Sequence, residues 1–332
     1  MLTQKQLAEQ LGVSQQAVSF ALNGGGTLKQ STRDFITKEA QKAGYRVNAA
    51  SRLFREGRTN SIALIVQGKY HVLPNLMLSA IRPLLREKEM HLTLFGAEPE
   101  DFADPNNPPR LVRELSADGF LVMDDGVLSE ELNQHIAHYR IPSVWINHVA
   151  KHYSVYPDEE GISARLVREI AKHLKGHYLY IGNSEEGATH FSAPDRRKGF
   201  ERGLQECGLT GEVLQIKHHQ EQRHDDIANI LSRKSKRPRV IITYAVEDAQ
   251  TIYLQAARLG IRIPQDVFVC SYSRIRAQIA HMEIPRVLVP VHLCGVVGLE
   301  MLLKRIENPD KKIKSVAVDD FIFNEFGQLA AV

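Results

Sequence analysis

Eight short runs rich in β-branched residues recur after residue 60: Ile62–Val66, Leu92–Phe95, Phe120–Met123, Val144–Ile146, Tyr178–Ile181, Val240–Tyr244, Val267–Cys270 and Val287–Val291. Helical stretches such as Leu76–Lys88, Ile162–Leu174, Arg196–Cys207 and Ala249–Leu259 separate most of them. Strands that alternate with helices join in parallel through helical crossovers, so they predict sheets covered by helices. The pattern continues for more than 250 residues, enough for two lobes. No run approaches the roughly 18 apolar residues of a membrane span. The first residues lack the basic and then apolar stretch of a secretion signal. Cys207, Cys270 and Cys294 are odd in number and widely spaced, so neither a disulfide framework nor a CxxC metal site follows. The expected location is the cytoplasm.

The first 60 residues are of another kind. They carry nine Lys/Arg against four Asp/Glu, or +5, and the remaining 33 against 35 leave −2 on residues 61–332. A basic head on a slightly acidic body fits contact with a polyanion, or a solvated charged face. Thr3-x-x-Gln6 is a capping box that starts a helix near residue 4, and Gly12 stops it. Ser14 caps a second helix, Gln15 to Leu22, which Asn23-Gly24-Gly25-Gly26 ends. Ser31-x-x-Asp34 caps a third, with Phe35, Ile36, Ala40 and Ala43 on its apolar side and Gly44 at its end. Ala8, Gly12 and Val18 have the spacing of a helix-turn-helix: a small residue at the crossing, glycine in the turn and an apolar lock on the second helix. With Val18 and Leu22 inward, Gln15, Gln16, Ser19 and Phe20 remain on the outer side. Gln bonds adenine bidentately and Phe packs on a thymine methyl in the major groove; the alternative is a plain polar helix with one aromatic. Further on, Asn48 caps a short helix, and Leu53 and Phe54 are apolar for a linker. They fit a minor-groove wedge, or a linker helix packed on the body.

Residues 7–66, LAEQLGVSQQAVSFALNGGGTLKQSTRDFITKEAQKAGYRVNAASRLFREGRTNSIALIV, resemble the LacI/GalR family of bacterial repressors in the order of helix-turn-helix, Gly44-Tyr45, Asn48-Ala49 and Gly57-Arg58-Thr59. Two body segments, Ser192–Phe200 and Gly260–Asp266, are similar to the family's more loosely. The resemblance implies an all-α helix-turn-helix head (1–46), a hinge helix and linker (47–60), and an α/β body (61–332) of two periplasmic-binding-protein-like lobes with parallel sheets. Lobe 1 would hold about 61–160 and 292–320, lobe 2 about 161–291 and 321–332, with crossovers near 158–162, 290–293 and 319–321. It further implies base reading by Gln15, Gln16, Ser19 and Phe20. Phosphate contacts would come from Thr3, Ser14, Asn23, Lys29 and Arg33. Asn48, Ala49, Arg52, Leu53 and Phe54 would form the minor-groove hinge. The partners would be double-stranded DNA bearing a pseudo-palindromic operator and a second copy of the chain, in the nucleoid of a bacterial cell.

Ligands of open α/β sheets bind beyond the carboxyl ends of the strands. That places Gln67, Tyr70, His71, Asn147, His148 and Ser273 around an interlobe cleft, together with Arg196, which matches the family's effector-contacting arginine. An interlobe or helix-end salt bridge is the other reading of Arg196. The effector would be a carbohydrate or derivative. Four features depart from the family. Phe20 stands where a guanine-reading arginine is usual, and Val47 replaces the hinge proline. Ala245-Val246 replace an Asn-Asp pair, and Ser273 replaces an Asp, with Glu247 and Asp248 nearby but out of register. The cleft therefore takes a less hydroxylated ligand, takes it differently, or takes none. An effector-independent regulator with a degenerate pocket and a non-regulatory small-molecule binder are the competing functions. No HExxH, GxSxG, Walker A or GxGxxG pattern is present, so neither an enzyme nor a cofactor is expected. His148-x-x-x-His152, His135-x-x-His138 and His218-His219 lack the further ligands of a metal site, and the basic run Arg233–Arg237 reads as a solvated loop.

Overall fold

The computed structural model describes residues 2–23, 26–45, 57–67, 73–104, 107–123, 129–183, 190–216, 220–233, 237–274 and 278–331. The chain divides into two compact units, Met1–Thr59 and Asn60–Val332.

The head unit holds α1 (Gln4–Leu11), α2 (Gln15–Asn23) and α3 (Gln30–Lys42). The Thr3 hydroxyl accepts the Gln6 N–H while the Gln6 side chain accepts the Thr3 N–H, the reciprocal box expected from the sequence. Gly12 ends α1 in the left-handed region, at φ 65°. Ser14 Oγ accepts the Ala17 N–H at 3.1 Å and starts α2. Leu7, Ala8, Val18, Ala21, Ile36 and Ala40 close a small core. Three expectations for α3 fail, one of them for Ala43, which is exposed rather than on an apolar side. The helix begins at Gln30, with Lys29 at the cap position and no side-chain cap, so Ser31 lies inside the first turn. Gln30 instead bonds Asp34 across that turn at 2.8 Å. Phe35 is 50% exposed, because the core of three short helices has room only for Ile36 and Ala40 from α3. Its C-terminus is as expected: the Tyr45 N–H reaches back to the Ala40 carbonyl around a left-handed Gly44.

The body contains two six-stranded sheets. The first has the order β2 (His91–Ala97), β1 (Ser61–Gln67), β3 (Gly119–Met123), β4 (Ser143–Ile146), β5 (Ser154–Pro157), β13 (Val316–Val318), all parallel. The second runs β7 (Thr210–Ile216), β6 (His177–Asn183), β8 (Val240–Thr243), β9 (Phe268–Ser273), β12 (Arg286–Leu288), β14 (Ile322–Asn324), parallel except for antiparallel β14. Helices α4 (Leu73–Glu87), α5 (Arg110–Arg113), α6 (Ser129–His138), α7 (Glu159–Ala171), α8 (Ser192–Cys207), α9 (Gln220–Leu231), α10 (Val246–Arg258) and α11 (Val291–Glu307) occur along the body, and a two-residue hairpin pairs β10 (Gln278–Ile279) with β11 (Met282–Glu283). The chain passes between the sheets three times: at 158 into α7, at 289–290 into α11, and at 319–321 between β13 and β14.

Burial explains why the strands read as continuous apolar runs. Ile62, Leu64, Val66, Val144 and Ile146 face one cluster, and Ala63, Ile65, Phe120, Val122 and Trp145 face another on the opposite side of the same sheet. Both faces are covered, so period-two alternation vanishes from the sequence. One run misled: Val287–Val291 is a strand only to Leu288, and Pro290 precedes α11, whose first residue is Val291. Among the described residues no helix is long and apolar enough to cross a membrane.

Candidate functional site

On the head, Ser14, Gln15 and Gln16 are exposed and Ser19 is half-buried, so α2 presents a short polar face at its N-terminal end. That face suits hydrogen bonding to base edges and phosphates. Phe20 does not stand free beside it. Its ring lies on the backbone of Gly26, where φ is 69° and any Cβ would collide with the ring. Arg33 is also engaged within the head, where its guanidinium donates to the Phe20 carbonyl at 2.7 Å and satisfies the C-terminal end of α2. Thr3 and Lys29 are exposed. The Asn23 side chain and the hinge positions Asn48, Ala49, Arg52, Leu53 and Phe54 lie outside the described residues.

Between the sheets, a connected set of polar side chains joins the two lobes. Asn147 follows β4 at φ 60° and is 4% exposed. Its amide nitrogen lies 2.9 Å from His190 Nε2, which is 3.1 Å from the Asn147 carbonyl oxygen. His190 Nδ1 is 2.8 Å from Ser192 Oγ, itself 2.8 Å from the Tyr244 hydroxyl. The Tyr244 ring covers the Arg196 guanidinium at 4.7 Å, and Tyr272 covers it from another side at 4.3 Å. Burial holds the His190 pKa below the ordinary histidine value, the Asn147 carbonyl opposing this in part, which favours the neutral ring. Tyr156 of β5 meets Phe191 edge-on at 5.8 Å and extends the same contact with apolar surface.

Arg196 forms a salt bridge at the start of α7, the other of the two roles open to it from the sequence. It is 3% exposed, and its Nε and terminal nitrogen donate to the two Glu159 oxygens at 2.7 and 2.9 Å. Burial works against its charge, but the Glu159 carboxylate outweighs that and raises its pKa. The fork that would grip an effector is filled by the first residue of α7. Gly199 makes this possible, because a Cβ there would run into the Glu160 carbonyl, and Gly203 similarly faces Val167. The two glycines let α8 approach α7 closely and bring Arg196 onto Glu159.

The remaining expected effector residues scatter. Ser273 is 6% exposed at the end of β9. Tyr70 and His71 lie outside the described residues, as does the side chain of Gln67. His148 is corrected: it lies against Trp145, ring centroids 5.2 Å apart, in a different cavity, because the left-handed turn at Asn147 sends consecutive side chains apart. Asp248 does not replace the lost cleft acids, since it is buried in an ion pair with Arg223 of α9. Asp266 of the second body motif is structural: it accepts the Arg262 N–H and guanidinium, which push its pKa down to about 2. Among the described residues no three metal-donor side chains come together. Sequence reasoning missed Glu159, His190 and Tyr244, and reached Tyr272 only as part of the segment Ser271–Ser273. The available signal was their place: Tyr244 follows β8, Tyr272 is near the end of β9, and Glu159 sits at a crossover.

Comparison with known proteins gives a consistent result. Residues 172–320 match the periplasmic binding protein-like domain family. Catabolite control protein A of Staphylococcus xylosus is 23% identical over 318 residues, 92% of each chain. The lac repressor dimer bound to operator and the anti-inducer ONPF superimposes with a TM-score of 0.72 at 15% identity, over 95% of this chain and 96% of that one. The CelR regulator in complex with cellobiose gives 0.63 at 16% identity, over 98% of each.

Proposed function

We infer that this chain is a sequence-specific transcriptional regulator of the LacI type, a binding protein rather than an enzyme, acting on double-stranded DNA in the bacterial cytoplasm. The observation that carries the reading is the exposed Ser14-Gln15-Gln16 face at the start of α2, on a head of net charge +5 joined to a two-lobed body. A homodimer sets two such faces on a pseudo-palindromic operator, half-sites about one helical turn apart. Gln15, Gln16 and Ser19 read base edges. Thr3, Ser14, Asn23 and Lys29 hold phosphates, and Phe54 or Leu53 wedges the minor groove. Because Phe20 is seated on Gly26, its contribution is to the shape of the helix end.

In this reading the body senses a small molecule, a carbohydrate or derivative, between the lobes, and the DNA-bound form is the repressing one. The ligand acts by binding the open and closed lobes with different affinity. Arg196 would serve such a ligand indirectly, by fixing α7 against α8. One observation favours a second reading, regulation without a cleft effector: Asn147, His190, Ser192 and Tyr244 form one chain of polar contacts, and Glu159 takes the Arg196 fork, so these polar groups already have partners within the protein.

Selection of duplexes from a random library by the intact chain tests the main reading. A pseudo-palindrome should be enriched, with affinity that falls steeply as salt rises, at a log–log slope of about −0.9 per phosphate neutralised. Absence of any enriched sequence at low salt would refute it. A thermal-shift screen with sugars and sugar acids separates the two effector readings, since a ligand that binds the folded body raises its melting temperature.

A further inference from the structure

His148 and His152, which the cleft does not use, line a surface cavity of about 460 Å³ on the first lobe. It lies between the end of α6, the loop from β4 to β5, and the end of α11. Arg140, Trp145, Tyr153, Arg305 and Asp310 complete the part that matters chemically. The volume is within the range of metabolite sites.

Two features distinguish the cavity from an ordinary surface dent. The first is an excess of positive charge, Arg140 and Arg305 against the single carboxylate of Asp310, which is in an ion pair with neither among the described residues. Arg305 projects from the end of α11, with its guanidinium 3.7 Å from the Tyr153 ring centroid and one terminal nitrogen donating to the Ser143 carbonyl. Its Nε is buried and has no partner, and neither it nor Arg140 has an ion pair among the described residues. Burial lowers the Arg305 pKa, against a smaller opposing effect of Tyr153. A half-buried guanidinium without a carboxylate gains from any anion that reaches it. The second feature is backbone strain. Arg140 and Tyr153 both border the cavity in the left-handed region, at φ 53° and 59°, where residues with a Cβ are uncommon. At Arg140 the conformation ends α6, with the Ile141 N–H returning to the Ile136 carbonyl, whereas Tyr153 holds it in the loop before β5, where such strain is found at ligand clamps.

We propose that this cavity is a ligand site separate from the interlobe cleft, for a metabolite-sized organic anion. A carboxylate or phosphate group pairs with Arg305 and Arg140, and an adjoining flat portion lies against Trp145 and His148. Asn147 and His148 are neighbours whose side chains serve the interlobe contact and the cavity respectively. A ligand that shifts the loop from 147 to 153 therefore acts on the Asn147–His190 contact between the lobes.

Trp145 is the sole tryptophan of the chain and lines the cavity, so its fluorescence is a local probe. Phenyl phosphate is titrated into the full-length protein at constant ionic strength, with inorganic phosphate and benzyl alcohol in parallel. The expected result is a saturable change in emission with phenyl phosphate alone. Arg140→Gln and Arg305→Gln should each weaken it about tenfold, the loss of one charge-assisted contact. Arg140 is exposed, so its variant keeps the test informative if Arg305→Gln fails to fold. No saturable response up to about 10 mM, well beyond a weak millimolar site, would overturn the proposal. So would a response matched by inorganic phosphate and indifferent to Arg140→Gln.

Discussion

Replacing Arg196 by methionine should damage the fold far more than it damages ligand recognition. The substitution removes two charge-assisted hydrogen bonds and leaves Glu159, 2% exposed, as a buried carboxylate without a counter-charge. Breaking a buried pair from one side costs about 3–5 kcal/mol. Loss of the Tyr244 and Tyr272 ring contacts adds to this. With a urea slope of about 3 kcal/mol per molar for a body of this size, the unfolding midpoint should fall by roughly 1–1.7 M. The double variant Arg196→Met/Glu159→Met replaces the pair by apolar volume and should recover most of that loss, so the coupling in the cycle should be at least as large as the loss from either single variant, about 3–5 kcal/mol or more. Far-UV circular dichroism and Trp145 fluorescence would follow the transition in all four proteins of the cycle. A loss below about 1 kcal/mol for Arg196→Met, or a double variant as unstable as the sum of the singles, would contradict the structural role argued for this arginine.

Four further outcomes are expected, the last two from the proposed DNA contacts. His190 carries a pKa lowered by burial, so the unfolded or opened chain binds its proton more readily than the closed one. The closed form is then unaffected above the ordinary histidine value of about 6.5 and is progressively weakened below it. Glu159, which favours the charged ring, and Arg196 and Arg274, which oppose it, are the charges acting on it. Urea midpoints from about pH 5 to 8 should show this slope, and His190→Gln should flatten it. Gly199→Ala should destabilise the body by about 1–3 kcal/mol, the usual range for forced overpacking, because its methyl meets the Glu160 backbone; urea unfolding would show it. Phe54→Ala should reduce operator bending, read by circular-permutation gel shift, more than Phe20→Ala does, and equal losses would remove Phe54 from the minor groove. Gln16→Ala should relax base preference at one operator position at a cost of about 1–3 kcal/mol while leaving the salt slope unchanged, measured by competition binding.

The buried parallel strands were legible because both of their faces are covered, which prints an unbroken β-branched run into the sequence. Of the four edge strands, β2 was read as Leu92–Phe95 but β7, β13 and β14 were not, nor was the four-residue interior strand β5. β7 is partly exposed, and β13 and β14 are three residues each, too short and mixed to stand out from loops. α11 was hidden for the opposite reason: it is apolar on several sides, so it lacks the helical stripe and merges with the run before it. On the head, caps and turn glycines are local chemistry and most read correctly, whereas Phe35 depended on how little core three short helices can enclose. Arg196 could be found from its segment, but its partner lies 37 positions away in the sequence, and no spacing rule connects the two. His190 carried no motif; only the fold shows that it meets Asn147.

The closing strands bear on how the protein is made. β13 finishes the edge of the first sheet and β14 that of the second, and they are separated by three residues near the end of the chain. Until residues 316–324 leave the ribosome, the outermost strands on these sides are β5 and β12 in place of the short β13 and β14. Short edge strands limit pairing with other chains, so a body that lacks residues 316–324 should be more prone to associate through both lobes. A premature stop near residue 315 would spoil both lobes together, and neither can be excised as a continuous fragment.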